Sequence, residues 1–253
     1  DLSIRLVDPA ERARARLQAT FEVSVFTDPV AAIRGADVVL LAVKPQSMPL
    51  VLRNLAGHVR PGQLLLSIAA GIAIATLEEQ LGQQLAVVRC MPNTPALIGH
   101  GITGMTAGRN CNAQQRALAE SIMAAAGEVV WLEDEVLMDA VTAVSGTGPA
   151  YFFLLTEVLA RTARDLGLPA ATADRLAAIT CFGAGAMVAT SPDEAEELRR
   201  RVTSPGGTTE AAMAVLDSGG FRELMSRAIK AAEARSRELS RPRSKDAGSD
   251  ADE

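Results

Sequence analysis

Val38-Val39-Leu40-Leu41-Ala42-Val43 runs straight into Lys44-Pro45-Gln46. Six apolar residues without alternation suit a strand covered on both faces. The proline that follows cannot extend the strand and fixes the direction in which the chain leaves it. On either side, residues 3–7, 23–26, 64–68, 87–90, 102–106 and 129–132 read as further strands. Amphipathic stretches such as 10–19, 48–55 and 113–126 lie between them. Alternation of strand and helix implies βαβ units and a largely parallel sheet.

Beyond Asp134 the strand signals stop. Ala/Leu-rich helical stretches follow at 137–145, 149–166, 170–189, 193–201, 209–218 and 221–239, separated by Gly and Pro as in Gly167-Leu168-Pro169 and Pro205-Gly206-Gly207. The expected organisation is an incomplete Rossmann-type dinucleotide-binding α/β domain over 1–134 and an all-α domain over 135–240. The residues from 241 to 253 carry Pro, Ser, Gly and mixed charge and read as a disordered tail. Helices this apolar and this small-faced pack closely, often against a second copy, so a homodimer through the C-terminal half is expected. A monomer at micromolar concentration by light scattering would contradict that.

Hydrophobic residues make up 48% of the 253 and charged residues 22%, which fits a soluble globular protein. Aromatics are only 3%, so the core must be built from Ala, Val, Leu and Ile. A net charge of −5 offers no basic field for nucleic acid, and no apolar run is long enough to span a bilayer. Cys90, Cys111 and Cys181 lack metal or redox spacing and fit a reducing cytoplasm. With His58 and His100 as the only histidines, no metal site is expected. His58, Cys90, Cys111 and Trp131 read as ordinary core or surface residues, and Arg199-Arg200-Arg201 as a solvated helix face.

Five segments could carry chemistry. Val43-Lys44-Pro45-Gln46, Ser67-Ile68-Ala69-Ala70-Gly71 and Arg89-Cys90-Met91-Pro92-Asn93-Thr94-Pro95 each close a strand. In open α/β sheets ligands bind at the C-terminal strand edge. Each segment alone could be an ordinary turn; together they outline a cleft floor suited to a planar ring. Ser145-Gly146-Thr147-Gly148-Pro149-Ala150-Tyr151 reads equally as a crowded helix–helix connection. Thr203-Ser204-Pro205-Gly206-Gly207-Thr208-Thr209-Glu210 is the sharpest signal. Glycines and hydroxyls entering a helix offer unpaired amides to a small anion such as a carboxylate. The competing reading is plain capping by Thr208 or Thr209.

In this order, and with Asp139-Ala140-Val141-Thr142-Ala143-Val144 leading into the fourth, these segments resemble the signature segments of pyrroline-5-carboxylate reductases over residues 1 to about 240. The resemblance implies reduction of 1-pyrroline-5-carboxylate to L-proline with NADPH or NADH, the last step of proline biosynthesis. It also implies a cytoplasmic homodimer or larger homo-oligomer. Ala42, Val43, Lys44, Pro45, Ala69, Ala70 and Gly71 would line the cofactor. Ser204, Gly206, Gly207, Thr208 and Thr209 would hold the substrate, with the Thr209 hydroxyl near the ring nitrogen. A protonated imine is already electrophilic, so positioning matters more than a strong acid.

Two departures from the family stand out. Its members begin with a strand and a Gly-x-Gly-x-x-Gly turn that cradles the pyrophosphate, whereas this sequence opens at Asp1 beyond that point. We therefore expect a missing N-terminal segment, and weak cofactor binding and no activity from the 253-residue chain alone. Asp8, after the first strand, would favour a free ribose 2′-hydroxyl and hence NADH, or would cap a helix before Pro9. The alternatives are another imine or hydroxyacid dehydrogenase and a non-catalytic oligomerisation protein.

Overall fold

The computed structural model describes residues 3–240; the expected tail at 241–253 lies outside the described residues. The described residues divide into two compact units, one of residues 3–146 and 233–240, the other of residues 147–232.

In chain order the first unit contains β1 (Arg5–Val7), α1 (Glu11–Thr20), β2 (Ser24–Phe26), α2 (Pro29–Ile33), β3 (Val38–Leu41), α3 (Met48–Leu55), β4 (Leu64–Ser67), α4 (Ile74–Leu81), β5 (Ala86–Met91), β6 (Gly101–Ala107), α5 (Ala113–Ala124), β7 (Gly127–Trp131) and the short α6 (Met138–Val141). Each strand expected from the sequence is present, within about two residues at its ends. The period-3.6 pattern missed α2 and α4, which are only five and eight residues long.

Pairing follows the order β3-β4-β5-β6-β7 in one sheet and β1-β2 in a second. All pairs are parallel except β5 with β6, which run antiparallel in the register Val88 to Ala107 and Met91 to Gly104. Among the described residues, β1 and β3 each have one paired edge.

Both faces of the five-stranded sheet are covered, as unbroken apolar strands require. On one face Leu41, Leu65 and Val87 pack with Met48, Leu52 and Leu55 of α3 and Leu77 and Leu81 of α4. On the other, Leu64, Leu66, Val88, Cys90 and Met105 meet Ala119 and Met123 of α5. Leu65, Leu66, Val87, Val88 and Met105 are fully buried. At about 25 cal/mol per Å² of apolar area, such side chains each stabilise the fold by roughly 1.5–3 kcal/mol. Buried Gln63 spends its amide on Ile33 O (3.1 Å) and Ala36 O (2.7 Å), fastening the turn before β3.

The second unit holds α7 (Gly148–Asp165), α8 (Ala170–Thr190), α9 (Ala195–Arg201), α10 (Thr208–Ser218) and most of α11 (Phe221–Ser240), whose residues from Glu233 group with the first unit. The sequence change of period at Asp134 and the compact boundary after Gly146 differ because the intervening residues pack on the sheet. A Cβ on Gly104 in β6 would come within 2.7 Å of Val141. The stretch 137–145, expected as one helix, is broken into a 3-10 turn at Glu135–Leu137, α6, and a π-helical turn at Thr142–Gly146. Thr142 and Ser145 hydroxyls donate back to Met138 O and Val141 O, competing with the backbone ladder.

Candidate active site

Parallel pairing puts the C-terminal ends of β3, β4 and β5 on one sheet edge. Three of the sequence segments follow those ends. After β3, Ala42 is exposed and Val43 half-buried; Lys44 is extended (φ −60°, ψ 144°) and exposed, and makes no ion pair among the described residues. Pro45 then starts a 3-10 turn, Pro45–Ser47, closed by Ser47 N donating to Lys44 O at 2.9 Å. Met48, buried at the start of α3, anchors that turn in the core.

After β4, Ile68 N donates to Leu41 O at 3.1 Å, tying the two strand ends together. Ala69 is buried in the core cluster, Ala70 is half-buried and Gly71 is buried. Gly71 has φ +74°, a conformation that L side chains rarely adopt, and a Cβ there would lie 3.3 Å from backbone and side-chain atoms of Leu239 in α11. Of the segment expected to line a cofactor, Ala42 and Lys44 are thus exposed and Val43, Pro45 and Ala70 half-exposed, while Ala69 and Gly71 serve packing.

After β5, Asn93 Oδ1 accepts from Ile102 N at 3.0 Å, and the 3-10 turn Thr94–Ile98 leaves Leu97 and Ile98 89% and 74% exposed. A Cβ on Gly146 would meet Met91 Cε at 2.6 Å, so the fourth sequence segment begins against the end of β5. The letters Gly99-x-Gly101-x-x-Gly104 match a phosphate-loop pattern, but they lead into β6 rather than a helix and so provide no helix N-terminus for a phosphate.

Two buried polar clusters support this edge, and sequence reasoning identified neither. Arg89 Nη1 in β5 pairs with Glu135 Oε1 at 2.9 Å, and the same oxygen accepts from Ile74 N, the first residue of α4, at 2.9 Å. Asp139, buried, accepts from Ser236 Oγ at 2.7 Å and Ser240 Oγ at 3.4 Å, which fastens the last turns of α11 beside Gly71. These partners are 46 and 97 residues apart, and no local spacing could reveal them. Cys90 lies in the core, where burial pushes its thiol up to about 12. Trp131 stacks under Arg116 (4.4 Å) and donates to Glu120.

The fifth segment belongs to the helical unit. Gly207 is the N-cap of α10, with no side-chain cap hydrogen bond. The capping role considered for Thr208 or Thr209 is therefore not what starts this helix: both residues are already helical. Gly206 takes φ +71° to turn the chain into it. Gly207 N donates to Ser204 O at 3.0 Å and Gly206 N to Glu210 Oε2 at 2.7 Å. Among the described residues, the amides of Thr208, Thr209 and Glu210 donate to no protein group, as the first turn of a helix leaves them. Just upstream, Arg199, Arg200 and Arg201 pair with Glu196, Glu197 and Asp193, the expected solvated face. A carboxylate could therefore be held here by amides and hydroxyls. Among the described residues no group of three metal-binding side chains exists.

Comparisons with known proteins place the chain by family and fold. Residues 135–239 match the family model described as pyrroline-5-carboxylate reductase dimerisation, and residues 2–71 match the model described as NADP oxidoreductase, coenzyme F420-dependent. The pyrroline-5-carboxylate reductase of Pseudomonas aeruginosa is 48% identical over 236 residues, covering 93% of this chain and 86% of that protein. A pyrroline-5-carboxylate reductase structure from Coxiella burnetii superimposes with a TM-score of 0.86 at 38% identity, over 94% of this chain and 88% of that one. The Plasmodium falciparum enzyme with NADP bound gives 0.84 at 28% identity, over 94% and 87%. By identity, coverage and fold, the chain belongs to the pyrroline-5-carboxylate reductase family.

Proposed function

We propose that the chemistry built into this chain is the reduction of 1-pyrroline-5-carboxylate to L-proline with a nicotinamide cofactor, the last step of proline biosynthesis, in the cytoplasm. The observation that carries this reading is the segment 204–210, where, among the described residues, the amides of Thr208, Thr209 and Glu210 have no protein partner and two threonine hydroxyls stand at the start of α10. That arrangement suits one small carboxylate and the ring attached to it. The names of relatives up to 48% identical supply the substrate.

The residues at the edge of β3 and β4 fit the nicotinamide end of a cofactor. Ala42, Val43 and Ala70 are small or flat and partly accessible, and Gly71 lets the chain turn away without a side chain. The bound cofactor supplies the hydride. The protein orients the imine carbon, excludes water and holds the carboxylate, with the Thr209 hydroxyl assigned to the ring nitrogen. Asp8 Oδ1 accepts from Ala10 N at 2.8 Å but Asp8 is not the N-cap of α1, which is Ala10. Its other carboxylate oxygen supports a preference for NADH, whose ribose carries a free 2′-hydroxyl.

A homodimer formed through the helical unit completes the reading. Phe152, Phe153, Leu154 and Phe182 in α7 and α8 are 59–66% exposed. A groove of about 690 Å³ between these helices is lined by Phe153, Ala160, Ala178 and Phe182. Contiguous apolar surface of this kind marks a protein interface, and the matched family model is a dimerisation domain.

Proline titration by calorimetry, in the presence of NADP, tests the assignment. Thr209→Val should weaken proline about tenfold or more, the value of a lost ligand hydrogen bond. Equal affinity in the variant would remove Thr209 from the site.

A further inference from the structure

One amide of the proposed carboxylate seat is already taken by a carboxylate of the protein itself. Gly206 N donates to Glu210 Oε2 at 2.7 Å, four residues away. No cation of the preceding helix competes for that side chain, because Arg199, Arg200 and Arg201 are all committed to Glu196, Glu197 and Asp193. Glu210 is exposed, so packing does not lock it in place. Its negative charge lies on the first turn of α10, beside the unbonded amides of Thr208, Thr209 and Glu210 itself.

We propose that Glu210 is a specificity-determining residue, a resident carboxylate that an incoming amino-acid carboxylate must displace from the 204–209 loop. The inference rests on the reading of that loop as the substrate seat. Two consequences follow from the geometry. Apparent affinity for a monocarboxylate is reduced by the fraction of molecules in which Glu210 occupies Gly206 N. A ligand carrying a second carboxylate meets the displaced Glu210 charge as well, so the residue discriminates against dicarboxylates. The opposite role is equally definite in its prediction. If Glu210 instead holds Gly206 at φ +71° and preforms the seat, removing it weakens every carboxylate ligand.

The test is calorimetric titration of proline and of pyrrolidine-2,5-dicarboxylate into the wild-type chain, Glu210→Ala, Glu210→Gln and Thr209→Val, with NADP present. Competition predicts a proline Kd lower by about three- to tenfold in Glu210→Ala, the range expected for an exposed charge-assisted hydrogen bond. Glu210→Gln should fall between, and the dicarboxylate should gain more than proline. A proline Kd that is unchanged or higher in Glu210→Ala overturns the proposal. Thr209→Val keeps the two readings apart. If that variant leaves proline binding intact, the seat itself is wrong. If it weakens proline while the Glu210 variants bind no tighter, only the competitor role is lost.

Discussion

Replacing Glu135 with Ala would expose how much the sheet edge depends on one carboxylate. Its Oε1 serves Arg89 Nη1 and Ile74 N, each at 2.9 Å. The Arg89 side chain is 6% exposed and that of Glu135 30%, so truncation leaves a guanidinium buried without its counter-charge. Breaking a fully buried pair costs about 3–5 kcal/mol. The partial exposure of Glu135 lowers this, and the amide orphaned at the start of α4 adds to it, giving about 2–4 kcal/mol. For a chain of this size that is a fall of roughly 4–16 °C in Tm. Trp131, the only tryptophan, lies in β7 of the same unit, so its fluorescence reports the relevant transition in thermal melts. The double variant Arg89→Met/Glu135→Leu, which buries no lone charge, should recover more than half of the loss. A Tm within 2 °C of wild type for Glu135→Ala, or a double variant no better than the single one, would refute the assignment.

Other tests address neighbouring features. Asp8→Ser should raise the affinity for NADPH relative to NADH several-fold in fluorescence titrations; an unchanged ratio would leave Asp8 a turn residue only. Gly71→Ala should destabilise the protein by about 1–2 kcal/mol for the positive φ alone, with further loss from crowding against Leu239, read by urea unfolding. Cys90, held near 12 by burial, should resist alkylation at pH 8 in the folded protein. Its raised value also contributes stability that is complete below the thiol's ordinary 9 and is lost as pH rises toward 12. Cys90→Ala should therefore flatten the alkaline side of the stability profile.

The sequence made the sheet legible because its strands are continuous apolar runs ended by Lys-Pro, Ala-Ala-Gly and Met-Pro-Asn turns, and each of those signals is local. The 204–209 loop was legible for the same reason: two glycines and two threonines announce a helix start. What remained hidden involves partners far apart in sequence. Nothing around Asp139 points to Ser236, or around Arg89 to Glu135, since their pairing exists only once α11 and the 132–137 turn are packed. The burial of Ala69 and Gly71 was unreadable too, because small residues suit both a ligand's approach and close packing against Leu239. Short α2 and α4 escaped because five to eight residues carry too little periodicity. Glu210 closes the Thr203–Glu210 segment in the sequence; only the fold shows it reaching back to Gly206 N.

In this reading the amides and hydroxyls at the start of α10 hold a small amino-acid carboxylate. A crystal of the protein soaked with proline tests it most directly. The expected density has the carboxylate on the backbone amides of Gly206, Thr208, Thr209 and Glu210 and the ring nitrogen within hydrogen-bond reach of Thr209. Proline bound at full occupancy elsewhere, with that loop unchanged, would contradict it.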